Sequence, residues 1–170
     1  MIRVPGPLGP HHPADPDWER TLREFEGRVA VLAHPHPGWT ALHSRQSSDG
    51  FLTDVDVQYH QDGRNRLLVR TVRPTPARAR VKPAFSLDGF LRTYIANHSE
   101  DAPLPIALPD IGELAALHLD GTPVTATAIA RDGYFALSTT LGTETFAIAG
   151  TDNLRAMAQH LTFQSAAPPN

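Results

Sequence analysis

Residues 114–161, LAALHLDGTPVTATAIARDGYFALSTTLGTETFAIAGTDNLRAMAQHL, read as a ladder of short strands closed by one helix. Asp120-Gly121 and Asp132-Gly133 each lie between apolar runs. Such pairs favour hairpin turns because Gly, and tolerably Asp, accept positive φ. Between them, Val124–Ala130 is β-branched and small, as a strand requires. Phe135, Leu137 and Leu141 alternate with Ala136, Ser138 and Thr140, a period of two. Gly142 interrupts that run, and Thr145–Ala149 forms a further strand with Phe146 and Ile148 on one face. Gly150 ends it, Thr151 suits a helix N-cap, and Leu154, Met157, Ala158 and Leu161 recur at helical spacing.

Working outward, the same turn chemistry recurs upstream. Asp49-Gly50 and Asp62-Gly63 bracket Phe51–His60, with Phe51, Thr53, Val55, Val57 and Tyr59 as the expected core face. Asp54, Asp56, Gln58 and His60 point the other way. Thr40–Gln46 and Leu67–Arg73 supply the strands on either side, and Pro74, Pro76 and Pro83 mark an extended connection. A helix is predicted from Ser86 to His98, carrying Leu87, Phe90, Leu91, Tyr94 and Ile95. The first helix starts at Asp15-Pro16, where Asp caps and Pro suits the first helical position. Trp18, Leu22, Phe25 and Val29 form its face, although Gly27 weakens it and residues 28–33 also read as a strand.

Helix, meander, helix, meander, helix is an α+β order. The expectation is a single domain with an antiparallel sheet of six to seven strands in two meanders and two to three helices packed on one face. The Pro-rich residues 1–14 read as a flexible arm, 15–165 as the domain and 166–170 as a disordered tail. The element order resembles that of small α+β domains that serve as secretion chaperones.

With 170 residues the chain is long enough for one real core. A net charge of −3 gives no general pull toward nucleic acid or membrane. The absence of cysteine excludes disulfides, thiolate chemistry and cysteine-based zinc sites. No signal-type apolar segment opens the chain, and no run reaches the roughly 18 apolar residues of a membrane helix. The expected location is the cytoplasm.

One segment stands out by charge. Arg64, Arg66, Arg70, Arg73, Arg78, Arg80 and Lys82 fall within nineteen residues with no acid among them. Guanidinium forks bind carboxylates and phosphates, so the segment suits an acidic surface on another protein. It contains none of the interleaved aromatic residues that nucleic-acid modules use, which leaves phosphate or nucleic acid as a secondary alternative. The plain reading is an edge strand guarded by charge. Trp39 follows His-Pro-Gly outside any periodic pattern and either anchors a partner or caps the core.

The enzyme alternative is a metal-dependent hydrolase. His34 and His36 would share a zinc or other divalent ion, completed by Asp54, Asp56 or His60 on one strand face. No His-Glu-x-x-His helix, Gly-x-Ser-x-Gly elbow or phosphate-cradling Gly loop accompanies them. The leading expectation is therefore a non-enzymatic accessory or binding protein without a cofactor, immunity-like or chaperone-like.

Overall fold

The computed structural model describes residues 16–78, 85–98 and 112–166. The arm 1–14, the helix cap at Asp15, the tail from 167, Arg80 and Lys82 lie outside the described residues. Helix α1 (Pro16–Phe25) leads into β1 (Val29–Leu32). A meander follows: β2 (Thr40–Ser48), β3 (Phe51–Gln61) and β4 (Arg64–Val72). Helix α2 (Leu87–His98) precedes the second meander of β5 (Glu113–Leu119), β6 (Thr122–Arg131), β7 (Tyr134–Leu141) and β8 (Glu144–Thr151). A single helical turn, α3 (Arg155–Ala158), leads to β9 (His160–Gln164).

Local turn chemistry sets the hairpins. At all four Asp-Gly pairs both residues have positive φ, 51–53° for Asp and 77–82° for Gly. That is the two-residue turn whose twist matches paired strands. Ser86 caps α2, its Oγ accepting the Gly89 N–H at 2.9 Å.

The nine strands among the described residues all join one sheet in the order β1-β9-β5-β6-β7-β8-β4-β3-β2. The antiparallel β4–β8 pair, Leu67↔Gly150 to Val72↔Thr145, fuses the two meanders. Strands β5 and β9 run parallel, through His118↔His160 and Leu119↔Leu161 alone. The sheet curls into a half-barrel. Its first edge folds back over the inner face: the Ala30 N–H donates to Thr71 Oγ1 and the Leu32 N–H to Tyr59 Oη, both at 2.9 Å. Side chains of β4 and β3 thus satisfy backbone donors that a full barrel would give to a neighbouring strand.

This corrects the expected six-to-seven-strand antiparallel sheet with helices on one face. The sheet has nine strands and is mixed, because β1 and β9 join it and β9 pairs in parallel. The helices divide between its faces. Trp18, Leu22 and Phe25 of α1 enter the inner core with Val55, Val57, Tyr59, Leu117, Phe135 and Phe146. Leu87, Leu91, Tyr94 and Ile95 of α2 cover Leu68, Ala136, Ala147 and Ala149 on the outer face. Alanines there let the helix lie close to the strands.

Two local expectations also change. Leu154, Met157, Ala158 and Leu161 all reach the inner core, but through a 3-10 turn, one α-turn and a strand. In β3, Val55, Val57 and Tyr59 are fully buried as expected, whereas Phe51 is 49% exposed and Leu52 is buried. The register shift between Gln46 and Ser47 of β2 places Leu52 opposite Ser47 and leaves Thr53 as an extra residue of β3 with no register partner in β2. A one-residue slip exchanges the faces of everything beyond it.

Candidate functional site

One end of the half-barrel gathers the α1–β1 turn, the start of β3, the end of β4 and the β7–β8 turn. The chain leaves α1 through Glu26, whose φ is 53°, and Gly27. Arg73 follows the last residue of β4, and its N–H extends the β3–β4 ladder by donating to the Thr53 carbonyl at 2.9 Å. Its guanidinium turns toward α1: Nη1 donates to the Glu26 carbonyl at 3.1 Å, and Cζ lies 4.3 Å from the Phe25 ring centre. A cation at the carbonyl end of a helix complements the helix dipole. Gly27 permits this approach, since a Cβ there would lie 3.1 Å from Arg73 Nη1.

Arg28 is held alongside in the same manner. Its Nε donates to Glu144 Oε1 at 3.3 Å, and its Cζ lies 4.5 Å from the Phe163 ring centre. Arg28, Arg73, Gly27, Thr143 and the two glutamates line a cleft of about 400 Å³. A second cleft of about 270 Å³ shares Glu26, Arg73 and Thr143 and adds Phe51, Leu52, Pro74 and Pro76. Together they make a groove with one charged and one apolar half, and Arg73 stands where they meet. Burial lowers the Arg73 pKa, and the nearby Glu26 and Glu144 charges only partly offset it.

The remaining arginines of the basic segment disperse. Arg64 and Arg78 are exposed at opposite ends of the segment's described part. Arg66 is half-buried, with its Nε enclosed and unpartnered among the described residues. Arg70 is engaged on the outer face, where Nε and Nη2 bind the two carboxylate oxygens of Asp56 at 2.8 and 2.9 Å. Its Cζ also lies 5.1 Å from the Phe90 ring centre. The Asp56 hydrogen bond raises the Arg70 pKa against the opposing effect of burial. Trp39 is 5% exposed and belongs to the inner core. It caps that core and presents no open indole to a partner.

The residues of the metal alternative are spread over separate places. Asp56 is bound by Arg70, and His60 Nε2 lies 3.1 Å from Gln58 Oε1, with burial lowering the His60 pKa. Asp54 shares their strand face. His36 turns into its own loop, where Nδ1 accepts the Gly38 N–H at 3.1 Å and the ring lies 5.7 Å from Trp39. His34 faces elsewhere, 6.2 Å from the ring of His160. Among the described residues no group of three or more His, Asp or Glu side chains is placed to hold a metal ion.

Two features escaped sequence reasoning. The rings of His118 and His160 stack at 4.6 Å with 16° between planes, beside His34, because β1, β5 and β9 converge there. The groove also draws Glu26, Arg28 and Glu144 from elements far from Arg73 in sequence. Only Arg73 carried a signal, its place in the arginine run.

No helix among the described residues is long and apolar enough to cross a membrane. The chain matches no family model, and comparison with curated proteins and with solved structures finds no similar protein.

Proposed function

We propose that the protein is a non-enzymatic accessory module of the cytoplasm, immunity-like or chaperone-like, that binds another protein through the groove at the end of its half-barrel. The observation that carries this reading is the groove's composition. A half-exposed Phe51 beside Pro74 and Pro76 adjoins two guanidinium groups already fixed against aromatic rings. Barrel mouths are common binding sites, and orientated Arg with an exposed aromatic residue is the chemistry of interface hot spots. The acidic partner surface expected from the basic segment narrows to Arg73 with Arg28, since Arg70 is occupied by Asp56.

The test is purification from the native host with a photo-crosslinking residue at position 51, and in parallel at an exposed position by the β6–β7 turn, the opposite end from the groove, such as Ala130. The expected result is one stoichiometric partner crosslinked at position 51 and not at 130. A bare chain, or crosslinks indifferent to position, would sink the reading.

A further inference from the structure

We infer that the groove recognises an acidic side chain, Asp or Glu, carried within an extended apolar segment of the partner protein. This rests on the binding reading above and names what the site reads.

The first ground is donor supply. A guanidinium carries five N–H donors. Arg73 uses one on the Glu26 carbonyl and Arg28 one on Glu144. The edges left over face a shared cleft, and two guanidinium forks suit a planar carboxylate. The second ground is preorganisation. Each guanidinium packs on a ring, Arg73 on Phe25 and Arg28 on Phe163, so little side-chain freedom remains to be lost on binding.

The third ground is charge. Arg28 and Glu144 are already paired. At Arg73, burial disfavours the charge, and Glu26 and Glu144 offset that only in part. A carboxylate brings a single charge into a cleft that already holds both glutamates, whereas a dianionic phosphate would meet them with twice the charge.

Position within the groove decides the source of the carboxylate. Arg73 lines both clefts and stands between them, not at a closed end. A segment passing through presents an internal side chain there, while a chain terminus needs a wall to stop against. The apolar half fixes the rest of the ligand. Pro74 and Pro76 have no N–H to offer a peptide backbone, so contact beside Phe51 is made by apolar side chains.

The experiment is phage selection of unstructured peptides on the full chain, followed by affinities for synthetic versions. Selected peptides should share an Asp or Glu with an apolar residue within two positions. Replacing that acid by Gln or Asn should weaken binding at least about ten-fold, the scale of a charge-assisted hydrogen bond. Phe51→Ser should weaken the parent peptide, and added salt should weaken it further. Arg73→Gln should abolish the preference for the acid over its amide. Because Arg73 also holds the end of α1, the change in the peptide is the cleaner comparison.

Peptides that need Phe51 but bind equally well as amides would overturn this inference and leave the binding reading standing. Loss of binding only on amidating the peptide's C-terminus would assign the site to chain termini and overturn it as well. Failure to select any peptide, or binding indifferent to both Phe51→Ser and Arg73→Gln, would overturn the inference and the reading together.

Discussion

Asp56 and Arg70 face each other as register partners on β3 and β4 and are joined by two parallel hydrogen bonds of 2.8 and 2.9 Å. The pair draws one residue from each of two rival functional readings, metal binding and an arginine docking strip. It makes both residues part of the outer-face scaffold, with Phe90 of α2 stacked on the guanidinium. Asp56→Ala is expected to destabilise the fold by about 2 kcal/mol by stranding a partly buried cation. Arg70→Met in the same background should recover part of that loss. Urea unfolding of the two single variants and the double variant measures the coupling, and additive costs would show that the pair contributes nothing beyond its parts.

Closure of β1 over the inner face depends on two side-chain oxygens. Tyr59→Phe leaves the Leu32 N–H without its acceptor in a fully buried place, at an expected cost of about 1–3 kcal/mol. Thr71→Val does the same to Ala30. In either variant, hydrogen exchange should accelerate at the affected β1 amide more than in β3 or β4. Uniform acceleration would place the effect elsewhere.

Two tyrosines should make the fold sensitive to alkali. Burial pushes the Tyr59 phenol well above its ordinary range despite its bond to Leu32, and burial followed by Tyr134 does the same at Tyr94. Both therefore stay neutral in the folded protein where the unfolded chain would ionise. Their contribution is complete below the unfolded value of about 10 and is lost as pH rises beyond it, at up to about 1.4 kcal/mol per pH unit for each. Phenolate absorbance of these two should appear only as the chain unfolds, and Tyr59→Phe should shallow the alkaline loss. Smooth ionisation of all tyrosines in a still-folded protein would contradict this.

Gly150 lies in β8 between Leu67 of β4 and Phe135 of β7. A Cβ there would come within 2.3 Å of Leu67 Cδ2, 3.1 Å of the Arg66 carbonyl and 3.3 Å of Phe135 Cε1. Leu67 and Phe135 are fully buried and have little room to yield. Gly150→Ala should cost about 1–3 kcal/mol in thermal or urea unfolding. Leu67→Ala in the same chain should return some of it by opening the space.

What the sequence made legible was short in range. The Asp-Gly pairs declare their turns because the backbone conformation they need is carried by the two residues themselves. Helix α2 was legible from its apolar face. Strand β9 was not, because Leu154, Met157, Ala158 and Leu161 satisfy helical spacing and do all reach the core, although Leu161 does so from a strand. Helix and strand periods cannot be separated over so few residues. The outward turn of Phe51 depends on a bulge at Thr53 in its own strand, and Thr53 fits the alternating pattern as well as a regular strand residue would. The groove was least legible, since Glu26, Arg73 and Glu144 meet only after the two meanders pair through β4 and β8. The arginine run pointed to Arg73 but equally to Arg70, and only the register with Asp56 separates the two.

The pairing of β1 with β9, Val29 with Gln164 through Leu32 with Leu161, orders events in time as well as in space. During synthesis β1 emerges ahead of both meanders, yet the strand it pairs with is made more than a hundred residues later. Both meanders can form from neighbouring strands as they emerge, and α1 can dock on β2 and β3, whereas β1 must wait for its sheet partner until residue 164 has left the ribosome. A strand that precedes both meanders in the chain is thus the last to be secured.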